Sequence, residues 1–238
     1  MNNQFDELTK SLAQSVTRHA ALKKFGAALA AVVLTLSSAL PVAAAGANSL
    51  TASVNDAAGD AVFPFDLYNG PVPPWIDIVH GSVTLTRGVF HFEVQVNADI
   101  PANGDPGFTP DANHLGTIFG ILTDLKTAQH FNLFGSQDNY HFNFLVMALY
   151  VVSDDDGFGP GWHGFLQGPD GIATEIPLVI RGDTYILETS AASLGNPDFF
   201  QWAIGGECDP VPGSAERNRT IITVDYAPDH GLASWPAQ

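Results

Sequence analysis

Residues 89–96 read Val-Phe-His-Phe-Glu-Val-Gln-Val, and from Phe90 onward they alternate strictly. Successive side chains of a strand point to opposite faces, so Phe90, Phe92, Val94 and Val96 share one face and His91, Glu93 and Gln95 the other. No helix collects those four apolar residues on one stripe, so the segment has to be a half-buried strand. Just upstream, Val83 and Leu85 alternate with Ser82, Thr84 and Thr86, and Arg87-Gly88 separates the two runs. Glycine supplies the positive φ of a tight hairpin, so the two runs are predicted to pair antiparallel. A hairpin with one apolar and one polar face needs a second layer over the apolar one.

The rest of the chain after residue 46 repeats this pattern. A second hairpin is expected at Arg181-Gly182-Asp183, between Ile176–Ile180 and Thr184–Glu188, with Tyr185 and Leu187 on one face. Pro169-Asp170-Gly171 is a turn signal. Phe142–Val152 is apolar on both faces from Phe144 onward, as befits a central strand covered on both sides. Further strands are predicted at Ser49–Val54, Thr117–Thr123, Phe131–Phe134, Phe199–Ile204 and Thr220–Tyr226. Ser190–Leu194 reads as one helical turn stopped by Gly195. About ten short strands with no crossover helices exclude a parallel α/β fold and point to an all-β sandwich or barrel. The core is expected to hold Phe90, Phe92, Val94, Phe144, Val146 and Trp202, with Glu93 and Gln95 outside.

Residues 1–45 form a separate unit. A polar stretch carrying Lys10, Arg18, Lys23 and Lys24 precedes Phe25–Ala45, which is rich in Ala, Leu and Val and ends Ala43-Ala44-Ala45. A basic region, an apolar run and a small-x-small ending make a cleavable export signal. The run is weakly hydrophobic, with Ser37, Ser38 and Pro41 near its end, which favours cleavage over an uncleaved anchor. The run Thr17–Lys24 resembles a twin-arginine leader with His19 in place of the second Arg, and the general secretory route is the alternative. The expectation is an exported protein, periplasmic or extracellular, touching the membrane only through this signal. The single domain then spans residues 46–238.

Charge narrows the partners. The 238 residues carry 25 acids against 9 bases, a formal net of −16. Cleavage after Ala45 removes two acids and four bases, leaving 23 against five. Such a surface repels phosphate and excludes nucleic-acid binding, while attracting divalent cations. One cysteine, Cys208, allows neither an intrachain disulfide nor a cysteine zinc site. No nucleophile elbow, His-Glu-x-x-His, phosphate loop or Cys-x-x-Cys occurs.

Several segments follow a familiar order: Asp56-x-x-Gly59-Asp60, then Trp75-Ile-Asp-Ile, the hairpin from Gly81 to Val96, and Ile100-Pro101. Later come Asp124, the stretch Tyr185–Trp202 with its Ser-Leu-Gly turn, and Asp225-x-Ala-Pro-Asp229. This order resembles secreted bacterial sandwich domains of the DOMON and family-9 carbohydrate-binding-module type, including the C-terminal binding module of glucodextranase. The resemblance implies a jelly-roll-like antiparallel sandwich, often with structural calcium, and ligands that include sugars and haem. Haem finds no methionine–histidine pair here, since the one Met after the leader, Met147, lies in a core-like strand.

Two sets of candidate residues follow. Calcium takes oxygen ligands from flexible loops. Asp56, Asp60, Asp225 and Asp229 can converge if the terminal strands lie side by side, and Asp154 and Asp156 sit in a dense acidic loop ending in Gly157. Asx turns and solvated acidic loops are the structural alternatives. A sugar ring stacks on exposed indoles, and Trp75 and Trp162 are both read as loop residues. The alternative for both is that they lid the end of the sandwich. His91 and Glu93 share a strand face, without a third metal ligand in spacing. Three functions fit these residues: a non-catalytic binding module of carbohydrate type, a glycan hydrolase using an acidic pair, and a structural envelope protein.

Overall fold

The paired strands build two antiparallel sheets, seen in a computed structural model that describes residues 49–62, 72–104, 114–124, 126, 128–130, 141–151, 158–208, 222–229 and 231–236. In chain order the strands are β1 (Leu50–Asn55), β2 (Ile78–Thr86), β3 (Val89–Val96), β4 (His114–Leu122), β5 (Gln129–His130), β6 (His141–Phe142) and β7 (Phe144–Val151). They continue as β8 (Gly161–Gln167), β9 (Ala173–Ile176), β10 (Leu178–Arg181), β11 (Thr184–Ser190), β12 (Phe200–Cys208), β13 (Ile222–Ala227) and β14 (Ala233–Trp235). One sheet has the order β1-β2-β3-β11-β10 and the other β13-β12-β4-β7-β8-β9, with β14 also on β12 and β5-β6 a separate ribbon. The chain is therefore an all-β antiparallel sandwich. Among the described residues no helix is long and apolar enough to cross a membrane.

The strict alternation of β3 sets the inter-sheet core. Phe90, Phe92 and Val94 are fully buried, while Glu93 faces solvent. Phe92 meets Phe119 of the opposite sheet edge-on at 5.1 Å, and Phe90 meets Phe200 at 5.4 Å and Trp235 at 4.8 Å. Offset and edge-on pairs are the favoured aromatic geometries. Val146 and Trp202 are buried as expected, Phe144 is only partly buried, and Gln95 is half-covered, donating to Asp183 at 2.9 Å. β7 is indeed central and covered on both sides. Val146 and Ala148 join the inter-sheet core, and Leu145, Met147, Leu149 and Val151 a second apolar cluster on the other face.

Arg87-Gly88 and Gly182 form the two expected hairpin turns with positive φ. Ser190 caps the short 3₁₀ turn Ala191–Leu194, and Gly195 ends it at φ 80°. The segment Phe131–Phe134 lies outside the described residues. Three expectations are corrected. Ile176–Ile180 is not one strand. Pro177 has no N–H to continue a ladder, so the chain leaves the seven-stranded sheet after β9 and enters the five-stranded one as β10. Gly161–Gln167, read as loop around Trp162, is a strand. Its Gly164 marks close packing and not a turn, since a Cβ there would lie 2.8 Å from the Ile176 carbonyl oxygen and 2.9 Å from Leu187. Trp235, which the C-terminal position of its Ser-Trp-Pro run marks as tail in the sequence, is buried in β14 and stacks on Phe200 at 5.1 Å.

Candidate metal centre

The aspartates predicted to converge do so, at the edge of the sandwich formed by β1, β2 and β13. Asp56 follows β1, Asp60 lies in the next turn, Asp225 is within β13 and Asp229 is two residues beyond it. A fifth, Asp77, stands at the entry to β2. One oxygen from each of Asp56, Asp60 and Asp229 lies within 4.8 Å of the others, and the same holds for Asp60, Asp77 and Asp225. Oxygens sharing one calcium at about 2.3–2.6 Å are at most about 5 Å apart. Each triad meets that limit, and Asp60 belongs to both.

The route of convergence differs from the one expected. β1 and β13 do not pair: they are edge strands of opposite sheets. The meeting occurs across the open side of the sandwich, where the β2 lead-in runs over β12 and β13. Gly206, opposite Asp225 in the β12–β13 ladder, permits this, because a Cβ there would lie 2.3 Å from the Ile76 carbonyl oxygen. With the backbones that close, the Ile78 N–H donates to Asp225 Oδ2 across the two sheets.

Backbone donors organise the acids. Asp77 accepts from Gly59 N–H at 2.7 Å, from Asn97 Nδ2 at 2.7 Å and from Ala61 N–H at 3.4 Å, so it folds the Asp56–Asp60 turn back onto β2. Asp225 Oδ1 accepts from the Tyr226 N–H at 2.8 Å. Asp56 Oδ1 accepts from Ala57 N–H at 3.1 Å, whereas its Oδ2 is buried and takes no hydrogen bond. Burial pushes the Asp225 carboxyl from its ordinary 3.8 up to about 8, with the Asp56 and Asp60 charges adding to the rise and the two N–H donors opposing it. Burial also lifts Asp56 to about 6, aided by Asp229, Asp60 and Asp77. Asp60 is raised by desolvation, Asp229 and Asp77. The five carboxylates repel one another, and either protons or a cation can relieve that.

The remaining candidates are placed as follows. Asp154 and Asp156 lie outside the described residues. Trp75 and Trp162 come together at one end of the sandwich, edge to face at 6.2 Å. Trp75 is only 6% exposed, which leaves almost no ring face for a sugar. Trp162 is partly exposed, donates through Nε1 to the Pro101 carbonyl at 2.8 Å, and packs on Tyr150 and Tyr185. His91 and Glu93 share the outer face, but His91 pairs with Glu188 on β11 at 3.1 Å.

Sequence reasoning missed Asp77. Its signal was an acid between Ile76 and Ile78 at a strand entry, and all three are buried, Asp77 at 3% exposure. A carboxylate among buried isoleucines needs dedicated donors or a counter-ion. No protein-family model matches the chain, and no curated protein matches it.

Proposed function

We propose that this protein is an exported, non-catalytic β-sandwich binding module whose strands β1 and β13 are clamped by a calcium ion held by Asp56, Asp60, Asp77, Asp225 and Asp229. The observation that carries the clamp is the convergence of these five side chains from three chain segments, with Asp225 only 5% exposed. An all-oxygen, all-carboxylate set selects a hard cation. Calcium accepts irregular sets of six to eight oxygens, whereas magnesium demands near-ideal octahedral geometry.

The hydrolase alternative also needs close carboxylates, one of them desolvated. A general acid must reach the substrate oxygen. Both oxygens of Asp225 instead face backbone N–H groups, and its burial keeps substrate away. This favours the clamp over acid catalysis. For the ligand of the module, a carbohydrate rests on the family resemblance. Export rests on the leader-like residues 1–45.

The test is a thermal melt in EDTA, in CaCl₂ and in NaCl of matched ionic strength. A ligand that binds only the folded state stabilises it by RT ln(1 + [L]/Kd), about 2.7 kcal/mol at a hundredfold excess. Calcium is expected to raise Tm well above both other conditions, because screening alone acts through ionic strength. Three coincident melts would refute the clamp. A glycan array in calcium tests the ligand class.

A further inference from the structure

An edge strand shows a row of unpaired backbone groups, which invites another strand unless something blunts it. Among the described residues, three of the four edges of the two sheets are blunted. β10 has four residues, follows Pro177 and carries the exposed Arg181, and β9 also has four and carries the exposed Glu175. At the edge beyond β12, the β12–β13 ladder is bulged between Gly206 and Glu207, Asp225 is a buried charge, and β14 spans only three residues. β1 has none of these devices. Its six residues, Leu-Thr-Ala-Ser-Val-Asn, include no charge and no proline, and they pair with β2 in unbroken register from Leu50–Leu85 to Asn55–His80. The Asp56 N–H continues that ladder, donating to the Val79 carbonyl at 3.1 Å. Hydrogen-bonded and non-bonded pairs alternate along such a ladder, so Leu50, Ala52 and Val54 turn their backbone groups toward β2, and Thr51, Ser53 and Asn55 turn theirs outward. Those three residues are exposed. The Thr51 hydroxyl and the Asn55 side chain reach back to Thr84 and His80 on β2, each at 2.9 Å, and so lean away from the open edge.

We infer that β1 pairs with β1 of a second copy of this chain, antiparallel across a twofold axis, joining two five-stranded sheets into one. The strand is its own antiparallel complement. With the two copies of Ala52 opposite each other, the outward backbone groups of Thr51 bond to those of Ser53 of the partner subunit, and those of Asn55 to Ser49 of the partner subunit. On the inner face Leu50, 46% exposed in the single chain, then packs on Val54 of the partner subunit, and Val54 is itself only partly buried. The formal net charge of −16 does not oppose this contact, because β1 places no charge opposite a charge. The first acid beyond it is Asp56, and at about 3.4 Å per residue its two copies lie about 27 Å apart. That is well beyond the Debye length of about 8 Å at physiological salt. The adjoining chain supplies no rival strand: only Gly46–Asn48 separate Ser49 from the leader-like run, too few for a turn and a strand. Pairing uses the open edge of each copy and leaves only blunted ones, so the assembly closes at two. The inference goes beyond the binding-module reading and does not depend on the calcium clamp.

Addition of one short strand lies at the low end of interface size, so the dimer is expected to be reversible and to form between about 1 µM and about 1 mM. The test is sedimentation equilibrium of the purified protein across that range, with amide hydrogen exchange at both ends of it, in CaCl₂ and in EDTA. The mass is expected to rise from one chain to two in both media. Exchange at Thr51, Ser53 and Asn55 is expected to slow with concentration, while Ala52 and Val54 stay slow throughout. Ser53→Pro removes a donor that each copy uses across the axis and none of the β1–β2 bonds. It should weaken the dimer about tenfold or more. Leu50→Asn, which leaves the backbone intact, should weaken it as well, and Arg181→Ala at the β10 edge should not. A monomer at every concentration, growth beyond two chains, a dimer without slowed exchange at those three amides, or one that Ser53→Pro leaves unchanged would overturn the inference. If Ser53→Pro fails to fold, the exchange pattern of the unmodified protein decides. A dimer seen only with calcium would move the contact to the aspartates and also overturn it, whereas a failed clamp with the dimer intact in both media would leave it standing.

Discussion

Asp225 carries the largest electrostatic cost in the aspartate cluster, and its position makes the cost measurable. Its folded-state value of about 8 exceeds the ordinary 3.8, so without metal the folded protein binds a proton that the unfolded chain gives up. Stability then falls as pH rises from about 4 to about 8, because the native state holds more protons over that window. Asp56, lifted to about 6, adds the same sign in the lower half of the window. Melts in EDTA across pH 4–8 are expected to decline. With calcium saturating, protons compete with the ion and the slope should reverse. Asp225→Asn removes the buried charge while keeping an oxygen to accept from Ile78 or Tyr226. It should raise Tm in EDTA at pH 8 and abolish most of the calcium increment. A lower Tm in EDTA with the increment intact would remove Asp225 from the site.

At the scale of elements, β3 holds the smaller sheet to the larger. It pairs with β2 on one side and β11 on the other, and its Phe92 fills the space against Phe119. Phe92→Ala should cost about 3–5 kcal/mol, the transfer term plus the cavity left between sheets that cannot collapse. Urea denaturation measures this through the midpoint at constant slope. A loss below about 1 kcal/mol would mean that the face bearing Phe92 contributes no packing.

The whole molecule couples its two ends through one edge. β1 and β13 belong to different sheets, and the ladders between neighbours do not join them. The aspartate cluster brings Asp56, just past β1, to Asp229, just past β13, and the Ile78–Asp225 hydrogen bond ties β2 to β13. N-terminal sequencing of the exported protein is expected to begin at or near Gly46. A product that keeps Met1 and stays in the cytoplasmic fraction would refute export.

The strand pattern was legible because burial of a half-exposed strand imposes a period of two on its own residues, as in Val89–Val96, and because turns such as Arg87-Gly88 demand glycine locally. The double burial of β7 showed in the same way, as an apolar run on both faces. Four of the five clustered aspartates were also legible as acids near the two ends of the predicted domain. The sequence by itself thus determined fold class, turn positions and the inventory of possible ligands. Only the tertiary structure decided how they meet. Strand order and sheet membership depend on contacts far apart in the chain, such as Ile78 with Asp225. Hence Pro177 divides two strands between two sheets, Gly164 and Gly206 serve close packing, and Asp77 joins the aspartate cluster through partners distant in the chain.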